Sequence, residues 1–461
     1  MQPTRFIVHE YSKFSNHVIG DRYDFNCIGM KLSAMQEQFT GIKRFNWAHG
    51  NKVQLMRLIN GGDISIYSRE QMFSIADEAH YVPTFYVVSI SEIGAMFDSD
   101  WVHWLPENTV RFLKETGVPI LLSQPGEFGF EWVDVTGGEQ NKVSQLVLNF
   151  DHKLAREGLT NPVIIHNMSK IYSDLNLHKR SFESVYSRQW IEHVRRPEHL
   201  SRGTLTYKDH LDNVRNKKIF FSSNRAPRES RCVFLLSLIK NNNLDKGFLS
   251  FLCEAPANVK VDQDQLHNYF TSIKVFSKTD SPLLEEYLNL TDQALNMLPI
   301  ELDEDEDLKK EHVLINRSLN HYRLNSLFEV VTETHDFTKE IVNAGVLSEK
   351  VFWPIANQMP FIVLGHRCNT MLLEELGFKT FDDDFKVASD PKSNIFDRCE
   401  YINQVILKFD SLTEQERFDW LNSDVIKEKI IHNYNHLINT DWNKDEVAAL
   451  VTAFNKLMHK N

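Results

Sequence analysis

Two stretches of this chain place charged and small polar residues directly after apolar runs, where a strand would end. The first, Ser222-Ser223-Asn224-Arg225-Ala226-Pro227-Arg228-Glu229-Ser230-Arg231, follows Ile219-Phe220-Phe221 and leads into an apolar helical pattern that continues to Asn243. A helix start has unused N–H donors and the positive end of the dipole, which suits an anion. Arginine adds a planar fork that matches phosphate oxygens. Cations at a helix start are unfavourable for the helix itself, so Arg225, Arg228 and Arg231 in its first turns need compensation. A bound phosphate would supply it, and so would a solvated face or pairing with Glu229.

The second stretch lies within residues 326–381. An apolar run ends at Glu333, the triplet Ser348-Glu349-Lys350 opens a short helix that stops before Pro360, and a second apolar run ends at Gly365. Lysine can meet a phosphate as a point charge, and a glutamate can accept hydrogen bonds from ribose hydroxyls. Taken alone, the triplet also reads as a capped helix start with a surface ion pair. A phosphate site and a sugar acceptor at adjacent strand ends point together to a nucleotide-linked donor.

Such residues must be held by strands that end side by side. Residues 326–381 read as strand, loop, helix, strand, loop, helix, strand, the grammar of a parallel sheet, and such sheets bind ligands at the carboxyl ends of their strands. Residues 217–224 and 247–254 add two strands, and residues 262–296 read as helical or irregular. In the N-terminal part, 83–91, 118–124 and 161–167 read as buried strands. The helical pattern of 110–116 is closed by Gly117, and that of 141–157 is stopped by Gly158. Residues 1–80 are mixed, with amphipathic patterns near 28–38 and 68–79. From Tyr401 onward the apolar period is helical. The predicted fold is α/β: two Rossmann-like domains facing across a cleft, with C-terminal helices. Their bounds are 1–175 for an acceptor-side domain, 176–216 for a basic connection, 217–400 for a nucleotide-sugar-binding domain and 401–461 for the helices.

At 461 residues, two or three domains are the prior. A hydrophobic fraction of 42% with 25% charged residues is that of a soluble globular chain. No apolar run is long enough to span a membrane, and the first residues lack the apolar core of a secretory signal. The five cysteines form no CxxC pair, which suggests reduced thiols, a cytoplasmic location and no structural zinc. The net charge of −12 is uneven: residues 179–231 carry 13 Lys or Arg against 6 Asp or Glu, whereas 301–307 form an acidic run that reads as a solvated linker or helix start. No GxGxxG, GxxxxGK[ST] or HExxH motif is present, so dinucleotide, P-loop and zincin chemistry find no support.

The set Ser223-Asn224 with Arg231, the apolar strand ending in Glu333, the Ser348-Glu349-Lys350 helix start and the strand Pro360 to Gly365 resembles the donor-binding domain of the α-1,3-fucosyltransferase family, over about 150 residues. The resemblance implies a GT-B glycosyltransferase with a nucleotide-sugar donor and inversion at the anomeric carbon. It implies no resident cofactor and no metal requirement. Arg231 and Lys350 would hold the pyrophosphate and Glu349 the ribose. Asn224, Arg225, Glu333, Ser348 and Gly365 would complete the donor site. Thr334 stands where the family has Asn, Ser348 replaces Thr, and the loop 334–347 is longer, so the sugar stays open. The Ser-Glu-Lys and Gly-Phe-Lys-Thr-Phe arrangements are similar to those of phage proteins, which adds a phage enzyme in a host cytoplasm to the expectations.

An inverting transfer needs a general base beside the acceptor hydroxyl. Glu127, in a glycine-flanked loop after the strand 118–124, is the predicted base, with His166 and Asn167 as secondary candidates. Asp98-Ser99-Asp100 has the form of a metal-binding DxD but follows no apolar strand, and His335, His366 and Cys368 match no metal spacing. A glycan or saccharide is the expected acceptor. DNA carrying a hydroxymethylated base is the alternative, argued from the basic stretch. A catalytically inactive binding module on the same fold is a further alternative.

Overall fold

The structure is a computed structural model. It describes residues 5–11, 56–60, 63–66, 84–90, 107–117, 119–124, 151–152, 154–167, 169–171, 181–195, 200, 204–214, 217–255, 259–276, 282–302, 319–333, 344–365, 367–387 and 395–458. The chain divides into two compact units. The first is Met1–Gln189 with Ile341–Asn343 and Asp441–Asn461; the second is Trp190–Glu340 with Ala344–Thr440.

The first unit is built on a seven-stranded sheet. Its strands are β1 (Arg5–Tyr11), β2 (Met56–Asn60), β3 (Asp63–Ile66), β4 (Thr84–Ile90), β5 (Ile120–Gln124), β6 (Val163–Asn167) and β7 (Phe182–Tyr186), with the helix α1 (Glu107–Thr116) between β4 and β5. The order is β3-β2-β1-β4-β5-β6-β7. From β1 to β7 all pairings are parallel, with Ile7 beside Tyr86, Val87 beside Leu121 and Leu121 beside Ile164. The antiparallel hairpin of β2 and β3 extends one edge. Strands β4, β5 and β6 follow the continuous apolar runs that mark them in the sequence. β1 and the hairpin are not marked this way, because their apolar runs are short and pairing with β4 through β1 makes them strands. Gly117 and Gly158 end their helices with φ of +63° and +69°, the left-handed region a glycine enters without cost.

The helix Trp442–Met458, last in the chain, packs on β6 and β7 of this first sheet. Trp442, Leu450, Ala453 and Leu457 recur at helical spacing and are buried. Glu446, on the same stripe, is buried as well. The segment expected as a connection, 176–216, contains the strand β7 and the helices Gln189–Val194 and Tyr207–Asp212.

The second unit has a four-stranded parallel sheet. Its strands are β8 (Lys218–Asn224), β9 (Gly247–Phe251), β10 (Ser326–Thr332) and β11 (Phe361–Leu364). Its chief helices are α2 (Glu229–Lys240), α3 (Glu349–Ala356) and α4 (Arg367–Glu375). The order is β9-β8-β10-β11, so the chain first adds a strand on one side of β8 and then reverses to add β10 on the other. That reversal is a topological switch point, where open α/β sheets bind ligands at their carboxyl edge. Asn224 ends β8 and Glu333 follows β10, one on each side of it.

α2 is buried along almost its whole length, including Cys232, Phe234, Leu235, Leu236 and Leu238. A helix apolar all round must be covered on all sides. Here Gln263–Phe276, Pro282–Leu288 and Ile395–Ser411 pack against it. The sequence pattern places three arginines in the first turns of α2, but the helix begins at Glu229: Arg228 is its N-cap residue and Arg225 precedes it, leaving Arg231 inside. The predicted strand near 378–381 is absent. Phe378 and Phe381 turn into the core against Phe352 and Phe361, and the Lys379 main chain is satisfied by the Asn433 side chain, which accepts from its N–H and donates to its C=O at 2.7 Å each. With its polar groups taken, that segment has no need of a strand partner.

Candidate functional site

The switch-point edge is organised by Glu333. Its carboxylate is buried and accepts two hydrogen bonds from Ser348, from the N–H at 3.1 Å and from the hydroxyl at 2.5 Å. Ser348 is the N-cap of α3, in extended conformation, and its hydroxyl oxygen accepts from the Lys350 N–H at 3.4 Å. The same oxygen lies 3.3 Å from the Lys350 ammonium, which also reaches Glu349 Oε1 at 3.3 Å. One hydroxyl therefore links a carboxylate below it to a helix start and a lysine above it. Burial pushes the Glu333 carboxyl above its ordinary value, against the opposing pull of Lys350 and the two Ser348 hydrogen bonds.

Gly365 ends β11 beside this group. A Cβ there would lie 2.6 Å from Asn369 Nδ2 and 3.2 Å from Glu333 Cβ, so the close approach of three chain segments requires glycine. Asn369, on α4, is fully buried and its Oδ1 accepts from the Val346 N–H at 3.0 Å. Sequence reasoning missed Asn369, because an asparagine in an amphipathic helix carries no signal of its own. Glu349 is partly exposed, and its buried Oε2 has no hydrogen-bond partner among the described residues.

Asn224 closes the other side of the switch point. Its Oδ1 accepts from the Thr332 hydroxyl on β10, its Nδ2 donates to Ser222 Oγ at 3.3 Å, and its N–H donates to Ser250 Oγ at 3.3 Å. Asn224 is thus a buried tie among β8, β9 and β10. Arg225 follows it, half-buried, at the start of the loop into α2. Arg231 is buried and turns back to donate from Nη1 to the Ala226 C=O at 2.7 Å, which closes that loop on the helix.

Of the predicted donor-site residues, the structure joins Glu333, Ser348, Glu349, Lys350 and Gly365 by direct contacts. Asn224 stands at the neighbouring strand end, and Arg225 and Arg231 lie in and beside the loop that follows it. Glu127, Asp98, Asp100, His335 and His366 lie outside the described residues. Cys368 is buried.

His166, a secondary candidate for the base, is 1% exposed, and its Nε2 meets Glu446 Oε1 at 2.5 Å. Glu446 Oε2 accepts from the Arg188 N–H at 2.8 Å, and the Arg188 guanidinium bonds Asp445 and the Tyr186 C=O. These contacts fasten the last helix to the ends of β6 and β7. The basic stretch shows a similar use of its charge: Arg188 pairs with Asp445, Arg195 with Glu192, Lys208 with Asp212, and Lys217 and Arg231 are buried. These five residues form no open row of cations for a nucleic acid backbone. No group of three or more His, Cys, Asp or Glu that could hold a metal ion occurs among the described residues. No helix among them is long and apolar enough to cross a membrane.

No protein-family model matches the sequence, and no curated protein does. Among solved structures the chain is similar to a UDP-forming α,α-trehalose-phosphate synthase from Burkholderia xenovorans, at 11% identity over 85% of this chain and 80% of that one, with a TM-score of 0.34. A likeness this distant assigns no role to any residue here.

Proposed function

We propose that this chain is an inverting, nucleotide-sugar-dependent glycosyltransferase of GT-B architecture, with its donor held at the carboxyl edge of the second unit's sheet. The observation that carries the reading is the Glu333–Ser348–Lys350 arrangement beside the switch point. A lysine and the N-terminus of an eight-residue helix, with the positive end of its dipole, stand together at the strand ends. Both suit the phosphates of a nucleoside diphosphate. Glu349, with a carboxylate oxygen unused among the described residues, supplies an acceptor for a ribose hydroxyl. The reading is also supported by the resemblance of Glu333, Ser348, Glu349, Lys350 and Gly365 to part of the fucosyltransferase-like donor motif set.

In the reaction proposed, an acceptor hydroxyl attacks the anomeric carbon of the donor sugar. The bond from that carbon to the diphosphate oxygen breaks as the new glycosidic bond forms, and the hydroxyl proton passes to a base, which we assign to Glu127. Negative charge grows on the leaving diphosphate, and the Lys350 ammonium and the α3 N-terminus stabilise it where it develops. Arg231 is assigned to the same phosphates from α2. A glycan or saccharide is the proposed acceptor.

The test is a thermal-shift screen of the full chain against nucleoside diphosphates and nucleotide sugars. A ligand at one hundred times its Kd stabilises by about 2.7 kcal/mol, and the shift should be lost in Lys350→Ala. Donor hydrolysis or transfer should fall with it. A chain that binds the nucleotide yet neither hydrolyses nor transfers the sugar is a binding module, and a chain that binds none refutes the donor site.

A further inference from the structure

We infer that Glu333 and Asn369 are positioning residues for the donor's phosphates, two buried acceptors that grip alternate N–H groups of the chain entering α3 and so set where Lys350 stands. The inference rests on the donor site proposed above. Asn369 Oδ1 holds the Val346 N–H at 3.0 Å, and Glu333 holds the Ser348 N–H at 3.1 Å. In extended chain the N–H groups of alternate residues face the same side, so the two acceptors, one from α4 and one from the end of β10, clasp a single edge of the segment. Val346, Leu347 and Ser348 are all buried.

Glu333 does more than hold the main chain. By accepting the hydrogen bond that the Ser348 hydroxyl donates at 2.5 Å, it turns that oxygen's lone pairs toward the Lys350 N–H and ammonium. A serine cap needs no carboxylate beneath it to bond the first turn of a helix. Burying the charge is unfavourable for the fold, as the raised Glu333 carboxyl shows. A costly buried carboxylate whose hydrogen bonds all converge on one cap residue is explained if the orientation of that cap, and of the lysine two residues on, matters to a ligand. Gly365 serves the same arrangement by letting Asn369 and Glu333 come together.

The experiment is calorimetric titration of the full-length protein with UDP, GDP, ADP, CDP and dTDP, and with the corresponding nucleosides, for wild type, Asn369→Leu and Glu333→Gln. Each variant should lose affinity for the diphosphate on the order of tenfold, the worth of one hydrogen bond to a charged group, and should lose clearly less for the nucleoside, which meets this helix start only through Glu349. Asn369→Ser, too short to reach the Val346 N–H, gives the same answer if the leucine variant does not fold. Equal losses for nucleoside and diphosphate would mean a merely structural role, and unchanged diphosphate affinity would mean no role; either overturns the inference and leaves the donor site standing. Wild-type protein that binds none of the diphosphates overturns both.

Discussion

Glu333 and Ser348, fifteen residues apart, are joined by two hydrogen bonds at 3.1 and 2.5 Å that fasten the end of β10 to the start of α3. The carboxylate in this joint is buried, and burial holds its pKa above the ordinary 4.5. Between the unfolded and folded values the folded chain therefore binds more protons than the unfolded chain. Stability is greatest below that window and falls as pH rises through it. Glu333→Gln removes the titration. In urea melts taken from about pH 4.5 to neutrality, the wild type should lose stability relative to the glutamine variant as pH rises. Parallel curves would show that the carboxyl is not strained by burial.

Gly365 allows a test of how tightly this edge is packed. Its missing Cβ would meet Asn369 Nδ2 at 2.6 Å, and that amide is pinned through Oδ1 to Val346. Gly365→Ala must move Asn369 or the main chain, at a cost of about 1–3 kcal/mol for overpacking. Chemical denaturation should show that loss. If Asn369 is displaced, the Val346 amide should also exchange faster with solvent.

The switch-point edge was legible in the sequence where it depends on local pattern. The apolar cores Ile219-Phe220-Phe221 and Phe361–Leu364 mark strands covered on both faces, and Ser348 before Glu349 is a recognisable cap. What lay hidden depends on contacts distant in sequence. Asn369 matters because Val346 is opposite it, and Glu333 anchors a helix start because Ser348, fifteen residues on, lies against it. The strand at Arg5–Tyr11 exists through pairing with Thr84–Ile90. The region near Lys379 looked like a strand by composition but finds its hydrogen bonds in the Asn433 side chain. The position of the arginines relative to α2 turned on where the helix starts, which a run of polar residues leaves undefined.

Lys217, just before β8, is a second buried charge. Its ammonium lies 3.5 Å from His210 Nδ1, and His210 Nε2 lies 2.9 Å from the Asn357 C=O. That carbonyl can only accept, so Nε2 carries the proton and Nδ1 presents its lone pair to the lysine. Burial pushes Lys217 down to about 7, and burial with the charge of Lys217 pushes His210 down to about 3. Between pH about 7 and the ordinary 10.5 the folded chain binds fewer protons than the unfolded chain, so stability rises with pH through that window and the full penalty is present below it. Lys217→Met should be more stable than wild type at and below neutrality and should lack the rise. A wild-type stability curve that is flat from pH 7 to 10.5 would place the ammonium in a wetter environment than its burial indicates.

The last helix makes its claim on the first unit through one carboxylate. Glu446 sits in a stripe of otherwise apolar residues, and its two oxygens take His166 Nε2 at 2.5 Å and the Arg188 N–H at 2.8 Å. An apolar residue at that position would extend the stripe but strip both groups of that acceptor in a dry setting, costing about 1–3 kcal/mol for each group left unsatisfied. Glu446→Leu should therefore destabilise the first unit despite its greater hydrophobicity, and Glu446→Gln, which keeps one acceptor oxygen, should destabilise it less. Because β6 and β7 are the strands this helix covers, amide exchange should accelerate there in the leucine variant and stay unchanged in β8 and β10. A leucine variant as stable as wild type would mean that packing of Trp442, Leu450 and Leu457 holds the helix unaided.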